Sequence, residues 1–303
     1  MNDRPKRSFT QQLVILIPYA WLLVFFLIPF LIVAKISLSH AALARPPYTP
    51  VLDPAAGWHG VVAFAVGLSL DSYALIGSDP LYLLSFAKSV QIAAFSTLLL
   101  LVVGYPIAYG IARTSRRWQA ALVVLVMLPF FTAFLIRIYA WMNILQRDGP
   151  LNELLMALNL VREPPVWLAT DTAIYIGIIY SYLPFMVLPL YATLEKIDQS
   201  LLEAAADLGC RRWKAFWLVT LPLSAPGVLA GALLCFIPAV GEFVIPDLLG
   251  GPQVPMIGQT LWTEFFGNKD WPTAAAVAVV LVFLLVTPIV VFQRQAERAA
   301  ERG

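Results

Sequence analysis

The segment from residue 203 to residue 222, EAAADLGCRRWKAFWLVTLP, combines residue types that suit the binding of another protein. Residues 201–208 are good helix formers with apolar residues along one face. Gly209 follows where a helix is expected to end in a left-handed cap. A second helical run is predicted to begin near Arg211 and to stop before Pro222, because proline cannot continue the hydrogen-bond ladder. Two short helices broken at a glycine would form a knob that fits a groove.

The second helical run has an apolar side and a basic side. The apolar side carries Trp213, Phe216 and Trp217, and the basic side carries Arg211, Arg212 and Lys214. An amphipathic helix that lies on a membrane, with its basic residues towards the lipid headgroups, is the alternative interpretation.

The remaining reactive residue types do not have the spacing of a catalytic or metal site. His40 and His59 match no metal-ligand pattern, and Cys210 and Cys235 suggest neither a disulfide framework nor a metal site. The chain has no GxxxxGK[ST] phosphate loop. The sequence therefore predicts no catalytic residue, no metal site and no cofactor in this chain.

The composition is that of a membrane protein. Hydrophobic residues make up 60 % of the 303 residues and charged residues 13 %, whereas a soluble domain has about 25 % charged residues. Six long apolar runs predict six membrane spans at residues 13–36, 86–112, 119–142, 172–193, 224–246 and 273–292. The first run is too long for a cleaved signal peptide and is predicted to be an uncleaved span. Residues 60–70 are apolar but short, which favours a strand or an interfacial segment, with a seventh span as the alternative.

Lysine and arginine residues are distributed unevenly between the segments that join these spans. With an inner N-terminus, thirteen lie in inner segments: Arg4, Lys6, Arg7, Arg113, Arg116, Arg117, Lys196, Arg211, Arg212, Lys214, Arg294, Arg298 and Arg302. Four lie in outer segments: Arg45, Arg147, Arg162 and Lys269. Because cytoplasmic loops carry the excess of positive charge, both termini and the 203–222 segment are predicted to be cytoplasmic.

The spacing within the 203–222 segment resembles the EAA loop of ABC-importer permeases. Glu203-Ala204-Ala205 is followed by three residues, Gly209, nine residues, Val219, one residue and Leu221-Pro222. The only departure from the family pattern is valine in place of isoleucine at 219. In that family the loop docks on the ATP-hydrolysing subunit. The resemblance implies that the residues coupling this chain to an ATPase are Glu203, Ala204, Ala205, Gly209, Leu221 and Pro222.

The resemblance extends over residues 11–292 and is to the permeases of bacterial polyamine importers, above all putrescine permeases. It is carried by LIRIYAW at 135–141, SYLPFMVLPLY at 181–191, FIPAVGEFVIPDLLGGP at 236–252 and MIGQTLWTEFFGNKDWPTAAAVA at 256–278. The implied fold is an all-α, six-transmembrane-helix type I ABC importer permease with a cytoplasmic EAA coupling loop. The implied domain organisation is an N-terminal tail at 1–12, a permease domain at 13–292 with the EAA loop at 194–223, and a C-terminal tail at 293–303.

The family also implies partners and a location. A second related permease subunit, an ATPase subunit dimer and a periplasmic polyamine-binding protein would assemble with this chain in the lipid bilayer of the bacterial inner membrane. The cargo would be a polyamine, putrescine or spermidine, and no nucleic acid is implied. A stand-alone cation-selective secondary transporter or channel is the alternative function, which explains the spans but not the EAA spacing.

A polyamine cation needs acidic or carbonyl acceptors and aromatic faces along its path. Glu242 is the most conspicuous carboxylate inside a predicted span and is our candidate for the substrate pathway. An ion pair with a base such as Arg137 is the alternative role for Glu242. Arg137 is expected to be structural, pairing with an acid or reaching towards the outer interface.

Aromatic side chains give further candidates for the pathway. They are Tyr139, Trp141, Tyr180 and Tyr182, although tyrosine and tryptophan at span ends also form interfacial belts. Three acids between the fifth and sixth spans can attract cations, contact the delivery protein or be solvated: Asp247, Glu264 and Asp270.

Overall fold

The computed structural model of the chain describes residues 9–51, 57–253 and 255–300. Arg4, Lys6, Arg7 and Arg302, which enter the charge comparison above, lie outside the described residues. The described chain divides into two compact units. One runs up to Pro80 and resumes at Leu261, and the other comprises Leu81–Thr260.

The described residues are mostly helical. In chain order the helices are α1 (Phe9–Leu22), α2 (Ile28–Ser37), α3 (Gly57–Val66), α4 (Asp71–Ser78), α5 (Pro80–Arg113), α6 (Arg116–Met127), α7 (Phe134–Ile144), α8 (Pro150–Ala157), α9 (Asp171–Leu194), α10 (Ser200–Asp207), α11 (Arg212–Ala215), α12 (Leu221–Val240), α13 (Val244–Leu249), α14 (Ile257–Trp262) and α15 (Trp271–Ala300). Wider π turns occupy Leu23–Leu27, Phe216–Thr220 and Thr263–Asn268, and a tighter 3₁₀ turn occupies Leu128–Phe131. Two short antiparallel strands, β1 (His40–Ala41) and β2 (Tyr48–Thr49), pair His40 with Thr49.

Within the described residues, five helical stretches are long and apolar enough to cross a membrane. They are Leu16–Ser37, Gly57–Ser78, Pro80–Arg113, Asp171–Leu194 and Arg212–Val240. A bent pair, Arg116–Phe131 with Phe134–Ile144, makes a sixth stretch if it is counted as one span. Trp271–Thr287 is a shorter apolar helix. The predicted span at 273–292 lies within α15, which continues through Ala300 into the predicted tail.

The predicted span at 119–142 is broken into two helices. The chain bends by 87° between Phe131 and Phe134. Pro129 lies in the 3₁₀ turn, and Thr132 adopts an extended conformation, so the α-helical hydrogen-bond ladder is interrupted. The apolar run therefore forms two helices, α6 and α7, that point in different directions.

The predicted end of the second helical run at Pro222 is also wrong. Residues 212–240 are helical without a gap, since the π turn connects α11 directly to α12. In that turn the N–H of Leu221 donates to the carbonyl of Phe216, five residues back. The wider turn changes the hydrogen-bond register just before the proline, which then sits in the first turn of α12, where its missing N–H is tolerated.

Two further expectations are corrected. The predicted span at 224–246 ends early, because α12 stops at Val240 and a separate helix begins at Val244. Residues 60–70 do not form a strand: α3 covers most of them, and Gly57–Ser78 meets the length and hydropathy of a span. The periodicity of a short apolar run cannot by itself distinguish a strand from a helix.

The core of the Leu81–Thr260 unit is built around the close packing of α9 against α12. Met186 of α9 is fully buried. A Cβ at Gly231 of α12 would lie 2.8 Å from the sulfur and 3.1 Å from the carbonyl oxygen of Met186. Only glycine allows this approach, which is how small residues serve helix pairs in membranes. Lys88 of α5 donates to the carboxylate of Asp171 at the start of α9.

In the other unit, α15 packs against α2 and α4. The amino terminus of α15 is capped by Asp270, whose carboxylate accepts from the backbone N–H of Thr273 at 3.0 Å and from its hydroxyl at 2.9 Å. Lys35 places its ammonium 4.8 Å from the ring centre of Tyr48 and 5.2 Å from that of Phe64. Lys35 is predicted to lie in or at the edge of a span. Cation–π contacts with these two aromatic rings therefore stabilise its charge.

Candidate functional site

The turn between α10 and α11 has the geometry that the sequence predicted at Gly209. Gly209 adopts a φ of +76°. Its N–H donates to the carbonyl of Ala206 at 2.8 Å, and the N–H of Cys210 donates to the carbonyl of Ala205 at 2.9 Å. These two bonds form a Schellman motif, which satisfies the last carbonyls of α10 and requires a left-handed residue.

The amino-terminal side of α10 is fixed by Asp198. Its carboxylate accepts from the backbone N–H of Ser200 at 3.0 Å. Hydrogen bonds from the backbone and side chain of Ser200 lower the pKa of Asp198. An ionised aspartate beside a helix amino terminus is stabilising. Glu203 lies in the first turn of α10 and is exposed, as is Ala204, while Ala205 is half-buried.

Aromatic rings anchor the α11 side of this hairpin to α5. The Phe216 ring makes edge contacts with Tyr105 at 5.4 Å and Tyr109 at 6.5 Å between ring centres. The Tyr105 hydroxyl and the Ser224 hydroxyl are 2.8 Å apart and share a hydrogen bond. The hairpin thus projects from α12 but is held by the end of α5.

A cavity of about 440 Å³ lies between the hairpin and the end of α5. Glu203 and Arg212 line it from the hairpin, and Tyr109 and Arg113 line it from α5. The Arg113 guanidinium lies 5.4 Å from the Tyr109 ring centre, and its Nη2 has no hydrogen-bond partner among the described residues. A mixed-charge groove with a spare guanidinium donor can accept a carboxylate-bearing segment of a partner.

The second predicted group surrounds Glu242, between α12 and α13. Its Oε2 accepts from the Tyr182 hydroxyl at 2.5 Å. Its Oε1 accepts from the backbone N–H groups of Val244 at 3.0 Å and Ile245 at 3.4 Å. The residue is only 9 % exposed. Glu242 therefore caps the broken helix and ties it to α9, and three donors balance its charge in place of a basic residue.

The other pathway candidates fall into separate positions. Trp141 and Tyr180 meet edge to face, with ring centres 5.4 Å apart. Tyr139 is 47 % exposed. Tyr182 also lies beside Phe185, at 6.0 Å between ring centres, so it connects Glu242 to a second aromatic contact. The structure thus joins Tyr182 to Glu242 and Trp141 to Tyr180.

Arg137 does not pair with an acid in the part of the chain that the structure describes. It is 8 % exposed, and its guanidinium carbon lies 5.1 Å from the ring centre of Phe130 and 5.6 Å from that of Phe134. Its Nε and Nη1 have no hydrogen-bond partner in the part of the chain that the structure describes. Cation–π contacts therefore take the place of the expected carboxylate.

Sequence reasoning missed Tyr109 and Arg113 as site residues. Arg113 contributed to the count of inner basic residues, but nothing in the sequence connects the end of α5 with a segment about 90 residues further on. The excess of arginine at the end of an apolar run is a signal for orientation only.

The long apolar helices define a multi-pass membrane protein. Residues 10–299 match the family described as "Binding-protein-dependent transport system inner membrane component". The chain belongs to this family, and the family recognised from the sequence is confirmed. It is an inner-membrane transport component.

Two relatives are polyamine permeases. The "Spermidine/putrescine transport system permease protein PotB" of Haemophilus influenzae is 36 % identical over 284 residues, which cover 94 % of this chain and 93 % of that protein. The protein of the same name from Escherichia coli K12 is 39 % identical over 226 residues, which cover 75 % and 82 %. These relatives are transport permease subunits, and they confirm the predicted polyamine ABC permease class.

A solved structure shares the fold. The bacterial alginate ABC transporter in complex with an alginate pentasaccharide-bound periplasmic protein contains a chain that matches with a TM-score of 0.69. The match covers 96 % of this chain and 95 % of that one at 15 % identity. It confirms the predicted fold of a type I ABC importer permease and, at this identity, shows the fold alone.

Proposed function

We propose that this chain is the permease subunit of an ATP-driven importer that moves a polyamine, putrescine or spermidine, from the periplasm to the cytoplasm. A separate ATPase dimer would dock on the α10–α11 hairpin, and a second related permease would complete the pathway. A periplasmic polyamine-binding protein would deliver the cargo. The observation that carries this proposal is the EAA spacing folded as a Schellman-capped hairpin at the mouth of a groove.

The hairpin has the features that coupling to an ATPase requires. Glu203 and Arg212 line the groove and leave charges of both signs for a partner. Leu221 and Pro222 begin α12 directly after the π turn, so a force on the hairpin passes into a long helix without an intervening loop. A rigid connection of this kind can transmit the docking of ATP-driven subunits to the membrane domain.

A cationic cargo fits the Glu242 region. The carboxylate is a negative charge inside an apolar bundle, where ionisable residues mark pathways for charged substrates. Tyr182 is bonded to it. At separate positions, Trp141, Tyr180 and Tyr139 offer ring faces for an ammonium group. The names of the polyamine permeases among its relatives support the same substrate class.

Uptake by the reconstituted complex tests the proposal. The permease pair, the ATPase and the binding protein are placed in proteoliposomes with internal ATP, and entry of radiolabelled putrescine and spermidine is measured. We expect uptake that requires both ATP and the binding protein. Uptake of the same cation by this chain alone, driven by an ion gradient, would establish the secondary transporter instead.

The topology is a separate prediction with its own measurement. We propose cytoplasmic termini, which places the α10–α11 hairpin inside and residues near 156 and 262 outside. On a background with Cys210 and Cys235 replaced by serine, an impermeant maleimide should label Met156→Cys and Trp262→Cys in whole cells. It should label Asp207→Cys only after the membrane is opened, since Asp207 lies exposed at the end of α10. Labelling of Asp207→Cys from outside would reverse the topology.

A further inference from the structure

A second open cavity, of about 430 Å³, has no role in the function proposed above. We call it the aromatic–basic groove. Arg45 and Pro46, from the connection between β1 and β2, line one side, and Phe265, Phe266, Lys269 and Trp271 line the other. All of these residues belong to the unit that ends at Pro80 and resumes at Leu261.

The apolar part of the groove is a row of aromatic rings. Phe265 stacks on Trp271 with ring centres 5.0 Å apart and an angle of 8° between the rings. Phe266 lies 4.8 Å from Phe265 and 4.1 Å from Trp262, again between ring centres. Phe266 is 55 % exposed. Packed rings that leave large faces uncovered are typical of a surface that binds a partner.

The charge around the rings is positive. Arg45 and Lys269 are exposed, and within the described residues neither makes an ion pair. The carboxylates of the two acids in the same stretch are engaged in hydrogen bonds. Glu264 is 8 % exposed and accepts from the side-chain amide of Asn268 at 2.8 Å, while Asp270 caps α15. Their carboxylates therefore do not form the attractive outer surface that the sequence suggested as one of their roles.

The backbone that carries Lys269 is well determined by hydrogen bonds. Lys269 adopts a left-handed conformation with φ of +57° and donates its N–H to the carbonyl of Glu264. The N–H of Asp270 donates to the same carbonyl at 2.9 Å. The backbone of this turn therefore loses little conformational freedom when a partner binds, which favours affinity.

We propose that the aromatic–basic groove is the docking site for a carboxylate-bearing lobe of the periplasmic binding protein. The inference rests on the proposed function and on its topology, which puts residues 45–47 and 263–271 on the outer side, between predicted spans. The chain belongs to a binding-protein-dependent family, so its outer side must present a surface to that protein. Exposed positive charge around aromatic rings fits a partner surface that carries Asp or Glu around an apolar centre.

Other occupants fit the groove less well. The second permease would meet this chain mainly through apolar surfaces in the bilayer, where burying Arg45 and Lys269 without partners would be costly. Anionic lipid headgroups would neutralise the two cations. However, they suit a flat belt of side chains and would leave this concave groove, with its aromatic walls, unfilled. The test below distinguishes both occupants.

The test uses the assembled importer in nanodiscs and the putrescine-loaded binding protein. The dissociation constant of the binding protein is measured by biolayer interferometry at low and physiological salt for Arg45→Glu, Lys269→Glu and the double variant. We expect each single variant to weaken binding about tenfold, with most of the loss in the association rate and a reduced salt dependence. Phe266→Ala should weaken binding mainly through faster dissociation, because it removes apolar contact without changing charge.

Arg162→Glu is the matched control, since Arg162 is exposed, lies in another predicted outer segment and does not line the groove. It should leave binding and uptake near wild type. An equal loss with Arg162→Glu, or unchanged binding with the double variant, would overturn the proposal. If the groove variants lose the second permease on purification, the groove is instead the contact with that permease. If their activity changes with anionic lipid content while the affinity for the binding protein is unchanged, the groove instead binds lipid headgroups. Wild-type uptake of polyamine in the same preparation shows whether the proposed function itself holds.

Discussion

Gly209→Val is expected to lower ATP-driven uptake about tenfold or more, while the protein still inserts into the membrane. Gly209 has a φ of +76°. A left-handed backbone costs an ordinary L-residue about 1–2 kcal/mol, and a β-branched residue is a genuine outlier there. Since the two bonds of the Schellman motif depend on this conformation, valine should reorient α11 relative to α10. The measurements are uptake by proteoliposomes and co-purification of the ATPase.

Gly209→Asn is the matched control for this prediction. Asparagine tolerates the left-handed conformation better than other non-glycine residues. A Cβ at this position would meet no atom within 4 Å, so bulk alone causes no clash. We expect Asn to retain most of the coupling and Ala to be intermediate. Equal activity of the Val and Asn variants would show that the turn is not what couples the hairpin to the ATPase.

Glu242→Ala is expected to reduce the amount and the thermal stability of the assembled permease. The change leaves the Tyr182 hydroxyl and the backbone N–H groups of Val244 and Ile245 without their acceptor. Each buried polar group that loses its partner costs about 1–3 kcal/mol. The measurements are the yield of complex in the membrane and its melting temperature in detergent.

Glu242→Gln separates the capping role from the proposed contact with the cargo. The amide oxygen can still accept from the backbone of α13, and the amide nitrogen can donate to Tyr182, so the fold should be retained. We expect polyamine uptake to fall about tenfold, which corresponds to about 1.4 kcal/mol, at nearly normal melting temperature, because the neutral amide removes the charge that would attract the cation. Tyr182→Phe keeps the charge and removes one bond, and it should retain more uptake than Glu242→Gln.

Two outcomes would contradict the path proposal for Glu242. Full uptake by Glu242→Gln would show that its charge does not serve the cargo and would leave the residue as a helix cap. A fall in melting temperature equal to that of Glu242→Ala would show that the charge is needed for the fold. Only a loss of uptake without a loss of stability supports a carboxylate on the substrate path.

The sequence predicted several features well because they depend on residues close together in the chain. The turn at Gly209 follows from a glycine after a helical run, and the structure places it there with a positive φ. Long apolar stretches predicted helices at 13–36, 86–112 and 172–193 because hydropathy accumulates residue by residue. The EAA spacing and the stretches beyond it indicated the family that the comparisons confirm.

Other features could not be predicted, since they depend on which helices meet. The bond between Tyr182 and Glu242 joins residues 60 positions apart and requires the packing of α9 against α12. The continuation of the helix through Pro222 requires a π turn, which has no simple signature in the residue pattern. The bend at residues 131–134 interrupts an apolar run whose hydropathy is that of one span.

The sequence by itself determined the class of protein, the membrane-spanning character and the EAA spacing, because these are properties of composition and local spacing. Only the tertiary structure decided what the charged residues do. It showed that Glu242 is a cap and that Arg137 lies among aromatic rings. It also showed that Glu264 is buried and that Asp270 caps α15, while Lys269 is exposed. The direction of a side chain depends on helix rotation and on neighbours distant in the chain, and in an apolar bundle every buried polar group must find such a neighbour.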